Sequence, residues 1–139
     1  YVRMMWMILQ AEHSEDWVIA TGKTTKIRDF VKMAFDHIGV DLKFSGAGID
    51  EKATVKNCSN PKYQIEKGRV VLAVDSRYFR PTEVDLLIGD PTKANTQLGW
   101  VPQYNLKELI NEMMDSDLNL MTKDQYLKDG GDSIMNYFE

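Results

Sequence analysis

The chain opens with residues 2–12, a predicted helix that is apolar on almost every side. Residues 2–9 contain a single charged side chain, Arg3. A helix at the surface of a globular protein needs only one apolar stripe, whereas a helix that is apolar all round has to be buried on more than one side. A small domain seldom begins in this way. We therefore expect the 139 residues to belong to a longer parent chain.

Length and charge restrict the class of protein. A chain of 139 residues suits one compact domain. Its net charge of −4 offers no basic face for nucleic acid, and no apolar run approaches the ~20 residues of a membrane helix. The single cysteine, Cys58, excludes an internal disulfide and a multi-cysteine metal site. These features predict a cytoplasmic domain that binds neither nucleic acid nor membrane.

The first two thirds of the sequence predict a mixture of helix and strand. Apolar residues at helical spacing predict a helix over residues 27–38, with Gly39 after its end and Thr24 or Thr25 as its N-terminal cap. Short apolar or alternating runs predict strands at 17–20, 42–44, 54–56, 63–65 and 70–74.

The last third predicts two helices and a tail. Asp90 followed by proline is typical of a helix start, and Gly99 ends that helix. Asn105 and Glu108 form the pattern of a capping box for a second helix, whose last apolar position is Met121. Residues 122–139 are polar and contain two adjacent glycines, so we predict a weakly ordered tail after a domain of residues 1–121.

Two short motifs resemble cofactor-binding signatures and do not meet their structural requirements. Gly46-Ala47-Gly48 lacks the third glycine and the following helix of a dinucleotide fingerprint, which favours a flexible turn. Tyr63 and Lys67 have the spacing of a catalytic Tyr-x-x-x-Lys pair, which works on one face of a helix. Pro61 and Gly68 leave too little room for that helix, so the match is attributed to chance.

Residues 76–84 form the segment that is most informative about ligands. It follows a predicted buried strand and carries Arg80 and Glu83. An arginine fork can hold a phosphate through two hydrogen bonds, and a carboxylate can accept from the two hydroxyls of a ribose. The pair would therefore fit a nucleoside diphosphate. The residues alone leave open the commoner alternative, an ion pair in a solvated loop.

Arg28 is a second candidate for anion binding. It lies one turn into the helix that follows a predicted strand and Gly22. Helix N-termini attract anions, because their first N–H groups are unpaired and the helix dipole is positive there. An exposed helix arginine with no ligand is the simpler alternative.

Several strings, in this order, closely resemble the C-terminal part of GDP-mannose 4,6-dehydratases, within the extended short-chain dehydrogenase/reductase superfamily. The resemblance runs from Tyr1 to about Met121. Its most specific strings are Tyr-Phe-Arg-Pro-Thr-Glu-Val at 78–84 and Gly-Asp-Pro-Thr-Lys-Ala at 89–94. Further strings are Val-Ile-Ala-Thr-Gly at 18–22 and Ile-Arg-Asp-Phe-Val at 27–31, while Leu-Gly-Trp-Val-Pro at 98–102 is shared across the superfamily and weakly specific.

The resemblance implies roles for four residues. Arg80 matches the arginine that grips the diphosphate of GDP-mannose, and Glu83 matches the acid on the GDP ribose. Ile27 matches an apolar residue that packs near the base in related epimerases, and Arg28 matches a common family arginine. One departure is Lys26, where the family usually has a serine that would cap the helix.

The resemblance also implies an NADP-dependent lyase that makes GDP-4-keto-6-deoxymannose, with the NADP site and the catalytic residues upstream of Tyr1. The expected fold is a mixed α/β substrate-binding domain that pairs with an N-terminal Rossmann domain, in a parent that forms homo-oligomers. The segment 17–20 would join the sheet of that Rossmann domain. Alone, the chain is expected to be inactive. The alternatives are a fragment of a related nucleotide-sugar epimerase or decarboxylase, and a binding or assembly module without catalysis.

Overall fold

A computed structural model of the protein describes residues 1–80 and 86–133. These residues form a mixed α/β fold, as predicted, with four α-helices and one three-stranded antiparallel sheet. Within the described ranges, no helix is both long and apolar enough to cross a membrane. The elements in chain order are α1 (Val2–Leu9), α2 (Ile27–His37), β1 (Val40–Ser45), β2 (Lys52–Cys58), β3 (Val70–Ala73), α3 (Thr92–Leu98) and α4 (Leu106–Asp129).

The sheet has the strand order β1-β2-β3 and is covered by α2. Along β1, Val40 and Leu42 are buried while Asp41 and Lys43 are exposed, because successive side chains of a strand point to opposite faces. The buried side chains of the sheet form one cluster against the apolar face of α2. Its members are Val40, Leu42, Ala53 and Val55 from the sheet, with Val31, Phe35 and Ile38 from the helix side.

A second cluster lies under α1. Met4 of this helix is fully buried against Ala94 of α3 and Trp100. The other side of α1 is exposed among the described residues, so burial of this helix on more than one side stays a prediction for the longer parent chain. Further apolar side chains complete the cluster, namely Met7, Ile8, Trp17, Ile19 and Leu98.

The predictions for 17–20 and 63–65 as strands are wrong for the chain as described. Residues 17–20 are in no strand, and residues 63–65 begin in a turn in which Gln64 has a φ of 39°. A strand exists only where a neighbouring strand completes its hydrogen-bond ladder. Among the described residues, 17–20 has no such neighbour. Gly89 packs beside it instead, so closely that a Cβ on Gly89 would lie 2.6 Å from Cβ of Ala20.

The start of α2 differs from the predicted cap. Lys26 is in the cap position, with extended backbone and no capping hydrogen bond from its side chain, which has no acceptor. Neither Thr24 nor Thr25 is the cap. The Thr24 hydroxyl donates to the carbonyl of Leu87 at 3.2 Å, so it serves as a link between two segments. The C-terminal prediction is confirmed, since Gly39 follows the helix end with a φ of 78°.

The two later helices confirm most of the predicted boundaries. The Asp90 carboxylate accepts from the backbone N–H of Thr92 at 2.9 Å, although the helix begins one residue later than expected, at Thr92. Gly99 ends α3 with a φ of 63°, and the Asn105 and Glu108 capping box is present.

Helix α4 continues to Asp129, eight residues past the predicted limit at Met121. The prediction ended the helix at Met121 because the residues after it are polar. Residues 122–129 contain no glycine or proline, and the polar side chains support the helix locally. The Thr122 hydroxyl donates to the carbonyl of Leu118 at 2.6 Å, and Gln125 donates to Asp129 at 2.7 Å. The proposed boundary between a domain and a tail at residue 122 thus falls inside a helix.

Candidate functional site

Three segments meet at the end of the sheet where α2 begins. They are the first turn of α2, the β1–β2 hairpin loop at 46–51, and residues 74–80 after β3. The backbone N–H of Val74 donates to the carbonyl of Glu51 at 3.2 Å, which ties the third segment to the hairpin. The Phe79 ring lies over Gly48, since a Cβ on that glycine would be 3.6 Å from the ring. The fold therefore gathers the predicted ligand-binding segments on one side.

The Gly46-Ala47-Gly48 motif forms the bend of the hairpin, as its interpretation as a turn predicted. Gly46 and Gly48 have φ values of 83° and 58°, a backbone region that residues other than glycine rarely adopt. At Gly46 a Cβ would lie 2.2 Å from the carbonyl oxygen of Asp50, so no other residue fits without a backbone shift. The motif shapes the loop through these two positions.

Arg28 is held by an acidic residue of this hairpin. Its Nε donates to Oε1 of Glu51 at 2.7 Å, and its Nη2 lies 2.6 Å from the same oxygen. The guanidinium carbon is 5.6 Å from the centre of the Phe44 ring, a cation–π distance. Arg28 is thus an oriented cation at the start of α2, with its side chain 53% exposed.

Glu51 was missed by sequence reasoning. The available signal was its position, immediately after a glycine-rich bend and immediately before a strand, which fixes the direction of its side chain. Ile27, the neighbour of Arg28, is 77% exposed, so its side chain is accessible at the same helix end.

The segment after β3 carries two arginines, Arg77 and Arg80. Arg77 forms a bidentate pair with Asp75, in which Nη2 donates to Oδ2 at 2.7 Å and Nε donates to Oδ1 at 3.2 Å. The side-chain hydrogen bond from Arg77, followed by its backbone N–H, lowers the pKa of Asp75. Arg80 is exposed and is the last described residue before the gap. Glu83 lies outside the described residues, so its pairing with a ribose remains a prediction.

Both flanks of the undescribed residues 81–85 lie beside the start of α2. On one side, Phe79 lies against the hairpin loop that carries Glu51. On the other side, the carbonyl of Leu87 accepts the Thr24 hydroxyl, three residues before Ile27. Arg80 and the Ile27–Arg28 turn therefore belong to the same end of the molecule.

The rejected Tyr-x-x-x-Lys match is off any helix, as predicted. Tyr63 lies in a turn, and Lys67 precedes Gly68 in the connection between β2 and β3. This connection leaves β2 at the end opposite to the hairpin loop, because Lys52 pairs with Ala73 at the hairpin end. The pair has no place in the site.

A separate cleft of about 360 Å³ lies around Trp17, and none of the predicted site residues lines it. Lys93 holds one wall in place. Its ammonium group lies over the Trp17 ring at 4.6 Å, donates to the carbonyl of Asp16 at 3.0 Å and pairs with the Glu15 carboxylate. The hydrogen bond from Lys93 lowers the pKa of Glu15. The cleft is distinct from the site at the start of α2.

Comparison with known proteins shows the family of this chain. The model of a family described as GDP-mannose 4,6 dehydratase matches residues 1–113. A GDP-mannose 4,6-dehydratase of Yersinia enterocolitica is 46% identical over 132 residues, which are 94% of this chain and 36% of that protein. The Drosophila melanogaster enzyme of that name is 46% identical, covering 88% of this chain and 29% of its own length.

The human GDP-mannose 4,6 dehydratase is 42% identical over 121 residues, which are 87% of this chain and 30% of the human protein. The chain thus spans about a third of the length of these relatives. Since the family model covers well over half of its residues, the chain belongs to the GDP-mannose 4,6-dehydratase family.

Proposed function

We propose that this chain is the GDP-sugar-binding part of a GDP-mannose 4,6-dehydratase, which converts GDP-mannose to GDP-4-keto-6-deoxymannose on the way to GDP-fucose and related deoxysugars. The observation that carries the proposal is the grouping of Arg28, Ile27 and the Arg80 segment at one end of the sheet, in a member of this family. Family membership favours this function over a related epimerase or decarboxylase.

Each residue has a chemical task in the proposal. Arg80 holds the diphosphate with a planar fork, and Glu83 accepts from the ribose hydroxyls. Arg28, at the positive end of α2, supplies a second cation for the diphosphate. Ile27 offers an exposed apolar surface to the base. None of these residues transfers a proton or a hydride, so the role of this chain is to bind and orient the substrate.

The proposal places NADP outside this chain. When bound, NADP supplies the reversible hydride transfer that a dehydration of this kind requires. The only Gly-x-Gly motif of the chain bends a hairpin and precedes no long helix, and the Tyr-x-x-x-Lys match is off any helix. These features support a cofactor site and a catalytic set in the part of the parent that corresponds to the remaining length of the relatives.

We further propose that one face of α1 docks on that N-terminal part, a Rossmann domain, in a cytoplasmic enzyme that forms homo-oligomers. Val2, Met5, Trp6 and Leu9 follow the spacing of one helical stripe, and their exposed fractions are 80%, 59%, 62% and 80%. We call these four residues the α1 stripe. An apolar stripe of this kind normally faces another layer of structure.

The length of the relatives is the reason for proposing that the N-terminal part covers the α1 stripe. About two thirds of their length has no counterpart in the chain. Residues 17–20, for which the sequence predicts a buried strand, are in no strand and have no strand neighbour among the described residues. Val18 in this segment is 50% exposed. A sheet in the N-terminal part would provide both the missing neighbour for 17–20 and a cover for the α1 stripe.

Calorimetric titration of GDP tests the binding role, with two variants of the same segment. A charged bidentate contact to phosphate is worth ~1.5–3 kcal/mol, so Arg80→Ala should weaken GDP binding by roughly ten- to a hundredfold. Arg77→Ala is the matched control, because it removes a guanidinium from the same segment that the family resemblance does not place on the diphosphate, and it should change the affinity little. Equal affinities for the unmodified chain and Arg80→Ala would end the assignment of Arg80 to the site.

A further inference from the structure

We infer that Glu51 is a positioning residue for substrate binding, which holds the guanidinium of Arg28 by one edge and presents its other edge to the diphosphate. The inference rests on the proposed function and adds to it a residue that neither the sequence motifs nor the family resemblance indicated. Its basis is the ion pair in which Nε and Nη2 of Arg28 lie 2.7 and 2.6 Å from one oxygen of Glu51.

The backbone that carries Glu51 is held on both sides. Glu51 is the last residue before β2, and its side chain is only 21% exposed. Its backbone N–H donates to the carbonyl of Gly48 at 3.2 Å, and its carbonyl accepts from Val74 at 3.2 Å. An anchor bonded on both sides of its own backbone can hold a long side chain in one orientation. The Phe44 ring supports the guanidinium from a 5.6 Å distance.

Glu51 contacts one edge of the Arg28 guanidinium, and a second edge is available for a ligand. A guanidinium has five N–H donors in a plane, and Glu51 occupies the edge formed by Nε and Nη2. Among the described residues, Nη1 has no hydrogen-bond partner. The edge formed by Nη1 and Nη2 is the one that can grip a phosphate through two parallel hydrogen bonds. Arg28 lies in the first turn of α2, where the positive end of the helix dipole also favours an anion such as the diphosphate.

Fixing Arg28 before the ligand arrives should increase affinity. An arginine that must be ordered during binding loses rotamer freedom at that moment, which costs a factor of about three to ten in affinity. The opposite effect is also physically possible, because a carboxylate close to a diphosphate repels it. The sign of the change in GDP affinity on removing Glu51 therefore distinguishes positioning from repulsion.

Calorimetric titration of GDP into variants of the chain tests the inference. Glu51→Ala should weaken binding about three- to tenfold, and Glu51→Gln should lose less because its amide oxygen can still accept from Nε of Arg28. Arg28→Ala should weaken binding, and adding Glu51→Ala to it should have no further effect, since Glu51 acts through Arg28. Asp50→Ala is the control, because it removes an exposed charge from the same loop.

Three outcomes would overturn the inference while GDP still binds. They are unchanged or tighter binding by both Glu51 variants, a loss for Asp50→Ala equal to that for Glu51→Ala, and additive losses in the double variant. If Glu51→Ala fails to fold, Glu51→Gln decides the question, because weaker GDP binding supports positioning and unchanged or tighter binding contradicts it. Failure of the proposed function has a different signature, in which the unmodified chain binds no GDP or Arg80→Ala binds it equally well, and the inference then falls with it.

Discussion

Helix α1 is richer in apolar residues than α2 and the sheet, yet most of its side chains are exposed. Val55 in the sheet is 1% exposed, because α2 covers the face to which it points. Trp6 in α1 is 62% exposed, because α3 and Trp100 cover only the opposite side of that helix. The sheet and α2 therefore bury each other's apolar side chains, while the α1 stripe is left exposed among the described residues. The proposed ligand site lies in the first region, and the proposed docking surface lies in α1.

The sharpest consequence of this comparison concerns activity. We predict that the chain alone forms no 4-keto product from GDP-mannose and NADP, because the role proposed for its residues is to bind and orient the substrate, and the α1 stripe is proposed to contact the rest of the enzyme. Mass spectrometry of the sugar nucleotide after incubation measures this directly. Catalytic formation of the 4-keto product by the pure chain would show that the division between the two regions is not a division of function.

A second prediction concerns the α1 stripe. The N-terminal two thirds of the Yersinia enterocolitica relative should bind this chain, and Trp6→Glu should weaken that association by a hundredfold or more. A buried tryptophan is a typical hot spot, worth about 2–4 kcal/mol, and the new carboxylate would be buried without a partner. Analytical ultracentrifugation of the mixed chains provides the affinity.

Asn119→Glu is the matched control for that experiment, because it adds the same charge at an exposed position of another helix, α4. It should leave the association unchanged. If Trp6→Glu and Asn119→Glu behave alike, the exposure of the α1 stripe is a property of a free surface, and the docking proposal is wrong.

Sequence patterns predicted the elements whose signals are local. The helix at 27–38, the alternation around Leu42 and the capping box at Asn105 each depend on residues within a turn or two, and all three are confirmed. The strand predicted at 17–20 depends on a neighbour that local sequence cannot specify. The end of α4 was misjudged because a solvent-exposed helix needs no apolar periodicity once it has begun.

The site shows the same limit. Motif resemblance pointed to Arg28 and Arg80, because arginine is a common ligand of phosphate. It could not indicate Glu51, whose role depends on a contact across 23 residues of sequence. Nor could it indicate the pairing of Arg77 with Asp75, which depends on the turn that brings the two side chains together.

A third prediction compares one substitution in the two regions. Leu42 in β1 is 9% exposed and Leu9 in α1 is 80% exposed, so leucine to alanine removes buried contacts at one position and almost none at the other. Leu42→Ala should lower the free energy of unfolding of the isolated chain by about 2–3 kcal/mol, through lost burial and the cavity that remains. Leu9→Ala should change it by less than about 0.5 kcal/mol, since alanine is a good helix former and little area is uncovered. Urea unfolding followed by circular dichroism measures both.

Binding of the N-terminal partner should reverse this order for the affinity, with Leu9→Ala weakening association and Leu42→Ala leaving it nearly unchanged. Equal losses of stability in the isolated chain would mean that α1 already buries its stripe, against another copy or within the chain, and the contrast between the two regions would no longer hold.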